Sequence, residues 1–200
     1  MELIQEQTGL AAYLAADDVI DHHHPLVRDT ADALRAATGG DARAYAEAAF
    51  ECVRDTIPHS ADSGDTRVTW RASDVLATRN GICHAKSHAL AALLRAQGIA
   101  TALCYQRLAD DDGTRPVIHG LIALRLPGAS RWHRQDPRGN KPGVDARFSL
   151  DGERLAFPVR PEIGEVDYPG LYAAPHPAVL KALQESVDRP ELWRRLPAAL

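Results

Sequence analysis

Cys83 follows an Asn80-Gly81 turn and precedes Ala85 to Gln97, a run of good helix formers closed by Gly98. This pattern predicts a buried helix with the cysteine in its first turn. Free backbone N–H groups at a helix start favour negative charge, so they stabilise a thiolate and can donate to an oxyanion formed beside it. A thiol nucleophile also needs a base, and the base needs an orienting group. His119 lies inside the strand pattern Val117 to Leu126, where rigid backbone fixes an imidazole, and Asp136 ends the next strand pattern, Arg131 to Asp136. If the chain turns over Pro127 to Ser130, antiparallel pairing brings residues near 119 and 136 roughly opposite one another. Cys83, His119 and Asp136 are therefore the candidate nucleophile, base and orienting acid. Each also has a bland reading: a small buried hydrophobe, a core histidine and a turn former before Pro137.

Further polar residues could complete such a site. The Cys83 N–H is one oxyanion donor, and Asn80, Trp70 and Gln106 are candidates for a second. Lys86, one helical turn beyond Cys83, could raise the thiolate population or recognise a carboxylate, or could simply be solvated. An amide at position 136 could hold His119 in the wrong tautomer, so Asp136→Asn is expected to cost about 10³ to 10⁴ in activity with little change in thermal midpoint.

Metal chemistry is the rival reading. His84 and His88 stand four apart on one helix face, but Ala85 occupies the place of the glutamate in HExxH, and Cys83 points about 100° away from His84. The triplet His22-His23-His24 reads as a polar turn, because chain neighbours share neither a helix face nor a strand face. There is no CxxC pair and no Gly-rich phosphate loop after a strand, and a thiol-imidazole pair needs neither. No metal site is assigned, and no cofactor is expected.

The elements that must position these residues follow from turn and periodicity signals. A helix is predicted from Pro25 to about Ala37, ended by Gly39-Gly40. Another starts after an Asp41 N-cap, buries Tyr45, Ala49, Phe50, Val53 and Ile57, and stops at Pro58. Residues 58 to 73 read as a loop, long enough for His59 and Trp70 to line a site, and Ser73 to Ala77 as a short capped helix. Beyond Gly98 the period changes to that of strands: Ile99 to Leu108, a turn at Asp110-Asp111-Asp112-Gly113, then the two strand patterns that carry His119 and Asp136. Short turns between them argue an antiparallel meander. From Pro137 the chain is rich in loops, closed by a last helix from Ala178 to about Val187 and the segment Glu191 to Leu196.

In order along the chain, Ala72-Ser73-Asp74-Val75-Leu76, Gly81-Ile82-Cys83, Leu90 to Gly98-Ile99, His119 and Asp136-Pro137 resemble the transglutaminase-like superfamily of cysteine enzymes. The similarity covers about residues 45 to 140. It implies a Cys83, His119, Asp136 triad with papain-type thiol chemistry, on an α+β fold of helices packed against an antiparallel sheet. Cys104 to Leu108 and Arg138 to Lys141 look similar to a compact bacterial subgroup. His119 is followed by Gly120-Leu121 where many members have Ala-Trp, a departure that bears on the substrate groove.

Composition bounds the rest. With 200 residues, 45% hydrophobic and 25% charged, the chain is expected to be a single domain, with a core at about 41–140 and a loop-rich cover at 141–200. A net charge of -4 with scattered basic residues argues against nucleic acid. The lack of a long apolar run argues against a membrane, and three cysteines without CxxC spacing argue for reduced thiols. Acidic residues at the N-terminus are unlike a signal peptide, so a cytoplasmic location is expected. The expected activity is that of a cysteine-dependent amide hydrolase or acyltransferase acting on a peptide or a small amide or acyl substrate. A catalytically idle binding module on the same fold is the alternative. The oligomeric state is not legible.

Overall fold

A computed structural model describes residues 1–109 and 115–200. The turn expected at Asp110 to Gly113 lies outside the described residues. In chain order the elements are β1 (Ile4–Gln5), a 3₁₀ turn (Leu10–Tyr13), α1 (Pro25–Ala37), α2 (Ala42–Thr56), α3 (Ser60–Ser63), α4 (Ala72–Thr78), α5 (Cys83–Ala96), β2 (Ala100–Ala109), β3 (Pro116–Arg125), β4 (His133–Gln135), a 3₁₀ turn (Pro161–Ile163), β5 (Val166–Asp167), β6 (Gly170–Leu171), α6 (Pro177–Glu185) and α7 (Arg189–Arg195).

Helix α5 is the axis of the fold: every residue from Cys83 to Arg95 is buried. One side packs on β2 and β3, and the others on α1, α2 and α4. Ala85, Ala89, Ala91 and Ala92 let these neighbours come close, while Leu90, Leu93 and Leu94 fill the space between them, at roughly 1.5 to 3 kcal/mol per buried leucine. Polar groups on so buried a helix need partners. Arg95 donates to the carbonyls of Thr101, Ala15 and Ala173, which ties the end of α5 to β2 and to two loops. Gly98, at φ 74°, supplies the left-handed residue that turns the chain from α5 into β2.

The sheet has the order β4-β3-β2-β5 and is antiparallel throughout, as the meander pattern predicts. Its strands have apolar residues on both faces. Leu103, Tyr105, Ile118, Ile122 and Leu124 join the main core, while Ala102, Cys104, Leu121 and Ala123 form a second cluster with Tyr13 and Leu171. Buried Arg134 on β4 pairs with Glu153 and Asp167, and Gln106 on β2 also holds Asp167, so polar side chains pin the C-terminal cover to the sheet.

Two elements differ from the sequence expectation. The segment 58–73, expected as a loop, contains the one-turn helix α3, whose N-cap is His59: its Nδ1 accepts the Ala61 N–H at 3.3 Å. β1 forms a parallel pair with β6, too short to leave a periodic signal. The cap of α4 comes from outside the helix, with the Asp21 carboxylate accepting from Ser73 N and Oγ. His24 caps α1, and His22 contacts the Leu14 carbonyl at 3.1 Å, which gives two of the triplet histidines structural duties. Among the described residues no helix is long and apolar enough to cross a membrane.

Candidate active site

Cys83 opens α5, and its N-cap, Ile82, offers no capping side chain. By contrast, α2 and α7 are capped by Asp41 and Asp188. The first-turn N–H groups of α5 are thus left for another acceptor, beside a sulfur that lines a cavity of about 420 Å³. Cys83 is 8% exposed. Burial by itself would push its thiol up, but the charges of His84 and His119 and hydrogen bonds from His119 and His59 outweigh it and hold the pKa well below the usual thiol value.

His119 on β3 faces the same cavity. The register pairs Ile122 with Gln135, so Asp136, the next residue, falls opposite Leu121 and becomes a diagonal neighbour of His119 on the same face. The His119 Nε2 stands 2.8 Å from Asp136 Oδ2, which leaves Nδ1 for the sulfur. Burial works against a charged His119, but the Asp136 carboxylate and the Cys83 sulfur outweigh it and raise the pKa to about 10. Asp136 is fully buried and anchored from both sides: Oδ1 accepts the Arg138 N–H, and Oδ2 accepts the Ala156 N–H as well as the histidine. Phe157 meets the His119 ring edge to face at 5.3 Å and walls it from above.

A second imidazole shares the cavity with the sulfur. His59 is 6% exposed and lines the cavity beside Cys83; burial lowers its pKa, and the Cys83 sulfur acts against that shift. Its backbone bridges Gly81, with Ser60 N–H donating to the Gly81 carbonyl at 3.1 Å, so its place relative to the Cys83 turn is set by main chain. Three residues on, Asp62 binds Arg138 and Lys141, which lock α3 to the Asp136 loop. Burial pushes the Asp62 carboxyl up, but those cations hold it down at about 2.

His84 contributes packing and charge. Its Nδ1 is 3.4 Å from Cys83 Sγ, and its ring fills the space above Gly120. A Cβ at Gly120 would stand 2.7 Å from His84 Cδ2 and 3.0 Å from its Cα, so the Gly120-Leu121 departure is matched by a larger residue on the facing helix. Gly120→Ala is expected to cost about 1 to 3 kcal/mol. It should also separate β3 from α5, and with them His119 from Cys83. Thermal unfolding and the rate of acylation per folded molecule would check it; unchanged values of both would contradict this packing. His88 points elsewhere, with Nδ1 at 2.8 Å from the Trp70 carbonyl, and burial lowers its pKa to about 4. Among the described residues no group of three or more His, Cys, Asp or Glu side chains is arranged to hold a metal ion.

The other sequence candidates take different places. Asn80 gives its amide N–H to the Arg67 carbonyl at 3.1 Å, and Gln106 gives its own to Asp167 at 2.8 Å. Trp70 packs on the core under the Arg71 guanidinium. None of the three lines the cavity. Lys86 is neither solvated nor aimed at the cavity. Its Nζ donates to the carbonyls of Ile57, at 2.5 Å, and Arg54, at 3.2 Å, and so caps the C-terminus of α2. Burial lowers its pKa to about 7, and a neutral amine still has protons for both carbonyls.

These features, a helix-start cysteine facing a strand histidine and its carboxylate, define a class. The profile of the transglutaminase-like superfamily matches residues 28–137, over half of the chain, and the protein belongs to that superfamily. Its α+β fold is papain-like and transglutaminase-like. A crystal structure of a protein from Cytophaga hutchinsonii, provisionally named a cysteine protease, is similar in fold, with a TM-score of 0.51 and 16% sequence identity. The match covers 66% of this chain and 43% of that one, so the chain spans less than half the length of the structure it matches. No curated protein matches the sequence.

Proposed function

We propose that the chain is a cysteine-dependent amide hydrolase or acyltransferase that works through Cys83, His119 and Asp136. The observation that carries the reading is the His119 Nε2 to Asp136 Oδ2 contact of 2.8 Å, which holds the imidazole with its other nitrogen toward a sulfur at an uncapped helix start. The Cys83 thiolate attacks an acyl carbon of a peptide or small amide. The carbonyl π pair moves onto oxygen, where the Cys83 N–H donates to it. Protonated His119 then gives its proton to the leaving amine as the C–N bond breaks, which leaves a thioester on Cys83. Neutral His119 next takes a proton from water or an incoming amine, whose attack regenerates the thiolate. The nucleophile arises by proton transfer within the site, so no metal or organic cofactor is needed for these steps.

Alkylation of the folded protein with iodoacetamide near pH 6, followed by peptide mapping, tests the activated thiol. Cys83 should label first. Cys104 is fully buried and desolvation raises its thiol to about 12, while the sulfur of half-buried Cys52 stands 3.9 Å from Thr56 Oγ1 and away from the cavity. Equal labelling of Cys52 and Cys83 would contradict the assignment. The pH dependence should be a broad bell. Its acid limb follows the depressed Cys83 thiol, and its alkaline limb the loss of the His119 proton near pH 10.

A further inference from the structure

An oxyanion formed at Cys83 needs more than one donor to be well held, and the helix supplies only backbone N–H groups. The acyl oxygen of a tetrahedral adduct stands beside the sulfur it is joined through. A donor already within reach of Cys83 Sγ is therefore within reach of that oxygen. Among the described residues two imidazoles line the cavity together with Cys83, and His119 is committed to proton transfer by its contact with Asp136. His59 is the other.

We infer that His59 is a further catalytic residue, the side-chain oxyanion donor of the Cys83 site, acting as a neutral imidazole through Nε2–H. The assignment rests on the acyl-enzyme reading above, and three features of the structure support it. The tautomer is fixed, because Nδ1 accepts the Ala61 N–H at the start of α3 and so must carry the lone pair, which leaves the proton on Nε2. The ring is held in place. Its backbone is bridged to Gly81, two residues before the nucleophile, and Trp193 of α7 meets the ring edge to face at 6.4 Å. The charge state suits the task as well, since burial lowers the pKa below the usual histidine value despite the nearby sulfur and Asp62. A neutral imidazole can polarise a carbonyl without competing with His119 for the catalytic proton. The donors that a sequence reading would nominate are spent elsewhere: Asn80 on Arg67 and Gln106 on Asp167.

Two reactions of the same sulfur separate oxyanion stabilisation from thiol activation. Acylation by p-nitrophenyl acetate passes through an oxyanion, whereas alkylation by iodoacetamide does not. Both rates are measured for the wild type, His59→Phe and His59→Gln, each per mole of Cys83 that alkylates at pH 6, so unfolded molecules drop out. The p-nitrophenolate burst of His59→Phe should slow by about 10² to 10³ while its alkylation falls by less than about tenfold, the smaller loss being the share of thiol activation that His59 gives to Cys83, and His59→Gln should recover part of the burst rate. Parallel loss of both rates would overturn the assignment by making His59 a thiol-activating group, and an unchanged burst would overturn it by making the ring structural. A wild type that alkylates at Cys83 but gives no burst would overturn the acyl-enzyme reading, and this assignment with it.

Discussion

Asp136→Ala is expected to lower the acylation rate by about 10³ to 10⁴ per folded molecule and to destabilise the protein as well. The kinetic loss comes from His119, which would keep no fixed tautomer and lose the carboxylate that raises its pKa. The stability loss comes from the Arg138 and Ala156 N–H groups, which would be left buried without an acceptor at about 1 to 3 kcal/mol each. With these contacts, Asp136→Asn is expected to behave differently from a variant that traps His119 in the wrong tautomer. An amide placed with its oxygen at the Oδ2 site keeps both Ala156 and His119 and gives up only Arg138; the opposite orientation sets NH₂ against the Ala156 N–H. The asparagine variant should thus keep the correct tautomer, retain more activity than the alanine variant, and have a lower thermal midpoint than wild type. Its alkaline limb should move down from about 10, because the charge that holds the His119 proton is gone. The same shift sets a stability window. His119 has a folded pKa above its unfolded 6.5, so its stabilisation is full below pH 6.5 and is lost as pH rises through about 10. In both variants that alkaline loss should shrink, and denaturant melts at pH 6, 8 and 10 would show it.

Cys83→Ala should lower turnover by about 10⁶, since among the described residues no other thiol or hydroxyl side chain lines the cavity. The fold should persist, because the change removes one sulfur from a site whose other members are held by Asp136, Ala61 and Gly120. A second effect is diagnostic. The Cys83 sulfur helps to raise His119, so the alanine variant should show a lower His119 pKa in a ring-carbon NMR titration. Residual activity within tenfold of the wild type, or a His119 titration that does not move, would contradict a thiolate-imidazolium pair.

The parts of this site that could be read from sequence are those fixed by local chemistry. The turn at Asn80-Gly81, the alanine-rich run and the Gly98 stop placed Cys83 at the head of α5, and period-two strands with short turns placed His119 near Asp136. What escaped depends on contacts between distant segments. His59 sits in a stretch dense in turn formers, and only its bridge to Gly81 brings it to the sulfur. The flanking Ile57-Pro58 stop and the His-Ser-x-Asp N-terminal pattern could have signalled α3, but not the direction of the ring. Lys86 has the spacing of a site residue yet turns to the end of α2, because Arg54 and Ile57 leave carbonyls there. Trp70 and Asn80 are near Cys83 in sequence and Gln106 is paired with His119 in the sheet, but their side-chain directions are decided by packing that no local pattern encodes. The Gly120-Leu121 departure becomes intelligible only when His84 is seen to occupy the space a side chain would need.

Intact-mass analysis after incubation with a panel of amide and thioester acyl donors, followed by mapping of the modified peptide, tests the central claim most directly. A single acyl group should accumulate on Cys83, be released by hydroxylamine, and be absent from Cys83→Ala. Acyl groups found on Cys52 or distributed over lysines, with none on Cys83 in protein whose Cys83 still alkylates at pH 6, would contradict the acyl-enzyme mechanism.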